Sequence, residues 1–218
     1  MTIQRKEDYK VMSINFNESN QVTIRGEIAS PFVFHYETHG TRLYKADVKV
    51  KRTSDAIDTL PLVISENTFS VTEDFTGEFV LINGQYRSYN RKDGKKRRHE
   101  LFIFGKEIEL LAIEPDGIEA NHIFLDGYIC KEPVYRETPF GRRITDLLLA
   151  VNRPYGKLDY IPCICWGKAA GLAAEFEVGE NVQLTGRIQS REYMKKLTEA
   201  EAEKRIAYAV SVKSIFAS

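Results

Sequence analysis

The sequence predicts an all-β protein that consists of two similar five-stranded units in tandem. Two observations lead to this prediction. Short alternations of apolar and polar residues, typical of β-strands, fill most of the chain. In addition, the second half repeats the first, because residues 20–26 align with residues 121–127 and Pro61 aligns with Pro162, both at an offset of 101. We interpret this repeat as a tandem duplication of one structural unit.

Several glycines also keep their places in the repeat. The aligned pairs are Gly40 with Gly141 and, after one inserted residue, Gly77 with Gly179 and Gly84 with Gly186. Glycine is favoured where the backbone turns sharply or is crowded, so shared glycines indicate a shared fold. Pro115 and Gly117 lie close together between the halves and indicate a break. We therefore predict domains at residues 1–114 and 118–218.

The first unit follows a polar segment, residues 1–20, that contains a few apolar positions. Apolar residues at alternate positions predict strands at residues 21–28, 42–51, 59–64, 78–89 and 100–104. Between the third and fourth strands the chain is rich in Ser, Thr and Asn. We expect a helix there to be short or absent.

The second unit has a helical pattern at the same place. Within residues 168–176, Ala169, Leu172, Ala173 and Phe176 fall on one helical face, and Gly179 follows as a stop signal. Five strands with a short helix or loop between the third and fourth is the plan of the OB-fold. That fold is a small, partly open barrel that binds single strands or oligosaccharides on one face.

Composition is typical of a soluble globular protein, with 43% hydrophobic and 28% charged residues. We expect a cytoplasmic protein that does not engage a membrane, because no apolar run is long enough for a membrane span and the N-terminus lacks the apolar stretch of a secretory signal. Cys130, Cys163 and Cys165 lie in apolar strand patterns and are expected to be reduced thiols. They lack the partner cysteines or histidines of a zinc site, so we expect no metal and no cofactor.

The most informative stretch is DYIPCICWGK, residues 159–168. Alternation along a strand places Tyr160 and Trp166 on one face and Cys163 and Cys165 on the other. The second set is small and apolar and suits a core. A strand that is apolar on both faces is either buried on both or presents a platform on which nucleic-acid bases stack. These ten residues alone leave both interpretations open.

The second half carries five motifs that are specific when taken together. They are NHIFLDGYI at 121–129, EPVYR at 132–136, LLLAVNR at 147–153, ICWGK at 164–168 and VGENVQLTGRIQSREY at 178–193. With them, the second half resembles the bacterial single-stranded DNA-binding protein (SSB) family, and the first half resembles it through the repeat only. The resemblance implies a non-enzymatic, sequence-independent binder of single-stranded DNA in replication, repair or recombination, of a chromosome, a phage or a mobile element.

The family stacks bases on aromatic side chains, and the resemblance implies stackers at Tyr155, Tyr160, Trp166 and Tyr193. On the predicted fourth strand, apolar residues alternate with cationic and aromatic ones, a mixture that suits a nucleic-acid face. The DNA-binding residues expected in this half are Trp166, Tyr160, Tyr193, Tyr155, Arg187, Arg191, Arg153 and Lys168.

The first half lacks these stackers, because Thr59 and Ser65 stand at the positions of Tyr160 and Trp166. It has instead a basic hairpin, residues 87–98, in which seven Lys or Arg accompany one Asp, and an Asp-Gly turn signal marks the tip. We expect phosphate contacts there, although a solvated loop is the alternative. The residues concerned are Arg87, Arg91, Lys95, Lys96, Arg97 and Arg98.

Two other functions remain open. The chain could be a primosome-type or scaffold OB protein that works through protein contacts, or a binder of single-stranded RNA, because stacking does not read the 2′-hydroxyl. The sequence has no Gly-rich phosphate loop, nucleophile motif or metal cluster, so an enzyme is not expected.

The resemblance also implies an assembly. The family commonly presents four OB units per particle, and this chain carries two, so we expect a homodimer. Replication and repair proteins are candidate partners, although the acidic C-terminal tip by which the family recruits them is absent from this sequence.

Overall fold

A computed structural model describes residues 18–93, 96–118, 120–196 and 202–218, and the side chains of residues 91–98 and 196 are outside that description. Strands β1 to β6 form the first half, which we call the N-lobe. Their bounds are Asn20–Ile28, Val33–Thr38, Thr41–Lys51, Ile57–Ser65, Phe79–Asp93 and Lys96–Leu110.

Strands β7 to β12 form the second half, which we call the C-lobe. Their bounds are Asn121–Ile129, Val134–Glu137, Arg143–Arg153, Lys157–Trp166, Asn181–Lys196 and Ala202–Ala217. A 3-10 turn, Pro154–Gly156, precedes β10, and the helix α1, Lys168–Ala173, follows it. In the part of the chain that the structure describes, no helix is long and apolar enough to span a membrane.

Each lobe closes into a five-stranded barrel. In the N-lobe, β1 pairs with β3 and β5, β3 with β4, β4 with β6, and β6 with β5. The C-lobe repeats this order with β7, β9, β10, β12 and β11. The third and fifth strands of each barrel are parallel and the other pairs antiparallel, while β2 and β8 flank β3 and β9. This connectivity confirms the predicted all-β class and its two five-stranded barrels.

The two barrels share one sheet through their first strands. β1 and β7 pair antiparallel, with Val22 opposite Ile123 and Ile24 opposite Asn121. The sheet therefore runs without a break through β6, β5, β1, β7, β11 and β12. The side chains that fill the barrels are apolar and fully buried, for example Leu60 and Ile64 in one lobe and Ile161 and Cys163 in the other.

Two of the repeated glycines, Gly84 and Gly186, lie at equivalent positions where a side chain would clash with a neighbouring strand. A Cβ at Gly84 would collide with the carbonyl oxygen of Phe104, and one at Gly186 would collide with that of Ser211. The pairing register also shifts beside both glycines. The long hairpins β5–β6 and β11–β12 bend at these points, where only glycine permits the close approach of the neighbouring strand.

Several elements differ from the sequence prediction. The pairing of β5 with β6 continues to Asp93 and Lys96, so both strands are longer than expected. The short strands β2 and β8 were not predicted. Residues 66–75 contain turns and no helix, as expected. In α1, the buried side chains are Ala170 and Ala173, whereas Leu172, which was predicted on the same helical face as Ala173, is 43% exposed.

Candidate nucleic-acid interface

Strand β10 alternates between a buried and an outward face. Asp159, Ile161, Cys163 and Cys165 are buried. On the other face, Tyr160, Pro162 and Ile164 are partly exposed, and Trp166 ends the strand with 43% of its surface exposed. The single tryptophan is therefore not a core residue, and its ring is available to a ligand.

Tyr155 is the most exposed aromatic side chain in the described part of the chain, at 99%. It lies in the 3-10 turn between β9 and β10 with a φ of 64°, a left-handed conformation that is uncommon for a non-glycine residue. Gly156 follows with a φ of 67°. The turn thus holds the tyrosine ring out from the barrel, beside the start of β10.

Trp166 opens onto a groove between the lobes with a volume of about 890 Å³. The groove is lined by β1, β5 and β6 of one lobe and by β7, β11 and β12 of the other. Its charged side chains include six Lys or Arg against three Asp or Glu, so the groove favours anions. Arg187 and Lys213, both exposed, share it with Trp166.

The remaining predicted residues of the C-lobe are exposed but lie in different places. Lys168 begins α1, two residues after Trp166, and Arg191 lies on the outer part of β11. Tyr193 is 41% exposed and lines a separate cleft together with Pro61 and Val63 of the N-lobe. The β11–β12 hairpin therefore carries Tyr193 across to the other barrel, away from the groove that contains Trp166.

This crossing is fixed by a contact between lobes. The buried carboxylate of Asp58, on β4, accepts hydrogen bonds from the backbone N–H and the hydroxyl of Ser190, at 2.7 and 3.0 Å. Arg52 holds the same carboxylate through two bonds, of 2.5 and 2.7 Å, and donates to the Ser190 carbonyl at 3.2 Å. We call these three residues the first latch.

The repeat produces a second latch in the opposite direction. Asp159, on β10, accepts a hydrogen bond from the backbone N–H of Ser88 at 2.7 Å, and the N–H of Tyr160 donates to the Ser88 hydroxyl at 2.9 Å. Arg153 contacts Asp159 through a single bond of 3.3 Å. The side chain of Arg153, which was predicted to bind DNA, is 22% exposed and is paired with a carboxylate.

The second latch is electrostatically weaker than the first. The other oxygen of Asp159, Oδ2, is buried and meets no hydrogen-bond donor among the described residues. Burial raises the pKa of Asp159, against the opposing effects of the Ser88 N–H and the Arg153 charge. Arg87 lies nearby and is itself desolvated, which lowers its pKa to about 10, so it stays charged at neutral pH.

The basic hairpin is β5–β6, and its base packs against the C-lobe. His99 contacts the carbonyl of Tyr160 through Nε2 at 2.9 Å and Asn90 through Nδ1 at 3.0 Å. The backbone pairs Arg91 with Arg98. Lys95 lies outside the described residues, as do the side chains of Arg91, Lys96, Arg97 and Arg98.

Sequence reasoning missed a group of aromatic residues on the outer face of the N-lobe. Tyr36 on β2 stacks on Tyr89 on β5, with ring centroids 6.3 Å apart and an interplanar angle of 14°. The guanidinium of Arg87 lies 3.7 Å from the ring centroid of Phe104. The alternation of Arg87, Ser88 and Tyr89 on one strand could have indicated this face, but β2 had not been recognised as its neighbour.

The comparisons with known proteins concern first the C-lobe. Residues 120–215 match the model of the single-strand binding protein family. Single-stranded DNA-binding protein 3 of Listeria innocua is 36% identical over 80 residues, which are 34% of this chain and 50% of that protein. Single-stranded DNA-binding protein B of Bacillus subtilis is 34% identical over 80 residues, 34% of this chain and 71% of that protein. The chain spans about half the length of most curated relatives it matches.

A solved structure extends the likeness to both lobes. The wild-type single-stranded DNA-binding protein of Thermus aquaticus has a TM-score of 0.71 and 19% sequence identity, and the match covers 91% of this chain and 92% of that one. At this identity the likeness concerns the fold. It agrees with the two-barrel architecture of the present chain.

Proposed function

The chain belongs to the single-strand binding protein family, and from this premise we propose that it binds single-stranded DNA, without sequence preference and without catalysis, in replication, repair or recombination. The observation that carries the proposal is the outward face of β10. Trp166 is exposed there and opens onto a groove in which Arg187 and Lys213 supply positive charge. Stacking on aromatic rings together with phosphate electrostatics is sequence-tolerant, since every base has a π-face and every nucleotide a phosphate.

The emission of Trp166 provides the test, because it is the single tryptophan of the chain. Titration with oligo-dT at two salt concentrations should quench it, and the affinity should fall as salt rises, because bound phosphates release counterions. Oligo-U in a parallel titration separates a DNA binder from an RNA binder. Unchanged emission and no binding by either oligomer would contradict the proposal.

We also infer that the chain forms a homodimer, which would assemble four barrels in one particle. The strands at the two ends of the sheet, β2 and β8, each pair on one side only and are the kind of edge that favours association. Light scattering at micromolar concentration should give twice the chain mass of 25.0 kDa. A monomer mass there would contradict this inference. The three free cysteines suit a reducing, cytoplasmic location.

A further inference from the structure

The outer face of the N-lobe carries a patch that the repeat does not account for. Its members are Tyr36 on β2, Arg87 and Tyr89 on β5, and Phe104 on β6. By pairing register, the C-lobe has Arg136, Gln189, Arg191 and Ser211 at these positions, and none of them is aromatic. The patch has thus no counterpart in the lobe that matches the family model.

We propose that Tyr36, Arg87 and Tyr89 form a second base-stacking site for single-stranded DNA, on strands different from those that carry Tyr160 and Trp166. This inference rests on the proposed function and deepens it. It would make the N-lobe a DNA-binding lobe that uses its own aromatic residues.

The geometry of the tyrosines supports a stacking site. The Tyr36 and Tyr89 rings are nearly parallel, and Tyr89 is 53% exposed, so one of its faces is covered by Tyr36 while much of the ring remains open to solvent. Leu43, Val63 and Phe102 are buried beneath this surface, and Tyr36 and Phe104 pack against them. A ring held by a packed base loses little freedom when a nucleic-acid base stacks on it.

The charge around the tyrosines fits a phosphate chain. Arg87 is held by Gln85, whose Oε1 accepts bonds of 2.9 and 3.3 Å, and by the Phe104 ring. No carboxylate within the described residues forms an ion pair with it under 4.0 Å, so its charge is not neutralised by a direct contact. Beyond Tyr89 the same hairpin continues into a run of six Lys or Arg, residues 91–98. Glu100 lies opposite Tyr89 in the pairing of the two strands.

The hairpin that carries the patch is joined to β10 through its opposite face. Ser88, between Arg87 and Tyr89, is bonded to the backbone of Tyr160 and to Asp159. The hairpin that carries the patch is therefore anchored beside a predicted stacker of the C-lobe. Because side chains in a strand alternate, Arg87 and Tyr89 lie on the face of β5 opposite to Ser88, so a strand that contacts both sites has to pass around the hairpin.

A relocated tryptophan tests the site directly. In a Trp166→Phe background, the Tyr89→Trp variant places the single indole in the patch. We expect oligo-dT of about 35 nucleotides, long enough for two OB units at up to about 16 nucleotides each, to quench its emission. Unchanged emission of this variant, with quenching of Trp166 in the wild type, would overturn the second site and leave the proposed function intact. If the emission of neither indole changes, both the second site and the proposed function are contradicted.

Affinity measurements provide the second test. Tyr36→Leu with Tyr89→Leu should weaken binding of the same oligo-dT by about 5- to 150-fold, the equivalent of one lost stacked base. Tyr36→Phe with Tyr89→Phe keeps both rings and should keep the affinity. Tyr128→Leu, a control at a tyrosine 44% exposed on β7, should also keep it. Equal affinity of the leucine and phenylalanine variants, with melting temperatures unchanged, would overturn the proposal.

Discussion

The two buried carboxylates Asp58 and Asp159 occupy equivalent positions in the repeat but are paired unequally. Asp58 receives two bonds from Arg52, whereas Asp159 receives one from Arg153 and has a second oxygen without a donor among the described residues. A bidentate arginine pair is stronger and more directional than a single long bond. The duplicated arginine–aspartate pair is therefore expected to stabilise the N-lobe more than the C-lobe.

We expect Asp58→Ala to destabilise the protein more than Asp159→Ala does. Removing one partner of a buried pair costs about 3–5 kcal/mol, because the remaining charge is left unpaired. The cost should lie at the upper end for Asp58, which leaves Arg52 and the two donors of Ser190 unpaired, and at the lower end for Asp159. Urea denaturation at neutral pH measures both free energies of unfolding. The reverse order would contradict the unequal pairing.

The raised pKa of Asp159 predicts a pH dependence. A raised folded-state pKa means that the folded protein holds this proton more tightly than the unfolded chain does. The wild type should therefore lose stability relative to Asp159→Asn as the pH rises from about 4, the unfolded pKa, through the folded pKa. Urea denaturation of both proteins across this range checks the sign, and a wild type that gains stability relative to Asp159→Asn as the pH rises would contradict it.

Trp166→Ala should weaken binding to oligo-dT by about 1–3 kcal/mol. The side chain is 43% exposed, so the melting temperature should fall little compared with the loss of a core aromatic residue. Phe216→Ala is a matched control, because Phe216 is 45% exposed and lies at the end of β12. A large drop in melting temperature with unchanged affinity would show that Trp166 has a packing role.

At the scale of elements, each long hairpin extends from its own barrel and contacts the barrel of the other lobe. β5 contacts β10 through Ser88 and Asp159, and β11 contacts β4 through Ser190 and Asp58. The hairpins differ in charge, since the tip of β5–β6 is basic while β11–β12 contains the ion pairs Lys204 with Glu192 and Arg205 with Glu203. The fold uses both hairpins to join the lobes, and the N-lobe hairpin alone carries a strong excess of positive charge.

Neutralising Lys95, Lys96, Arg97 and Arg98 together should weaken DNA binding and flatten its salt dependence. Each phosphate contact that is lost reduces the number of released counterions, so the slope of log affinity against log salt becomes smaller by about 0.7 per contact for single strands. Titrations at several salt concentrations measure it. Lys204→Gln with Arg205→Gln is the control, because these cations are already paired with glutamates. An unchanged slope in the quadruple variant would identify the hairpin as a solvated loop.

At the scale of the whole molecule, the contacts that join the lobes include the β1–β7 pairing, the two latches and the contact of His99 with the Tyr160 carbonyl. In the continuous sheet, the first strand of each barrel forms hydrogen bonds with the first strand of the other barrel. Because unfolding one barrel would expose the edge of the other, we expect the two to unfold together rather than as independent domains.

Calorimetry should therefore show a single transition in which the calorimetric and van't Hoff enthalpies agree. Asp58→Ala combined with Asp159→Ala removes both latches and should broaden or split this transition. Thr185→Ala, which removes a hydroxyl contact to Ser214 inside the C-lobe, is the control and should leave a single transition. Two resolved transitions in the wild type would contradict the expected coupling.

Much of the fold was accessible from the sequence. The alternation in β10 correctly separated Tyr160 and Trp166 from Cys163 and Cys165, because side chains in a strand must alternate. The family resemblance is confirmed by the family model and the curated relatives. The roles of the predicted DNA-binding residues and the domain boundaries stay predictions. The ends of β5 and β6 and the existence of β2 were missed, because polar hairpins have a weak periodic signal.

Most of the strands, the duplication and the outward face of β10 could be predicted from the sequence, since these depend on local alternation and on glycines that both copies of the fold require. The contacts between the lobes, in contrast, could be identified only from the three-dimensional arrangement. Between the lobes, Asp58 accepts hydrogen bonds from Ser190, which is 132 residues away. Within single lobes, Arg153 contacts Asp159 and Tyr36 stacks on Tyr89. Such contacts arise when two closed barrels share a sheet and each lays a hairpin on the other. No local pattern records that arrangement, because the partners lie on strands that are distant in the chain.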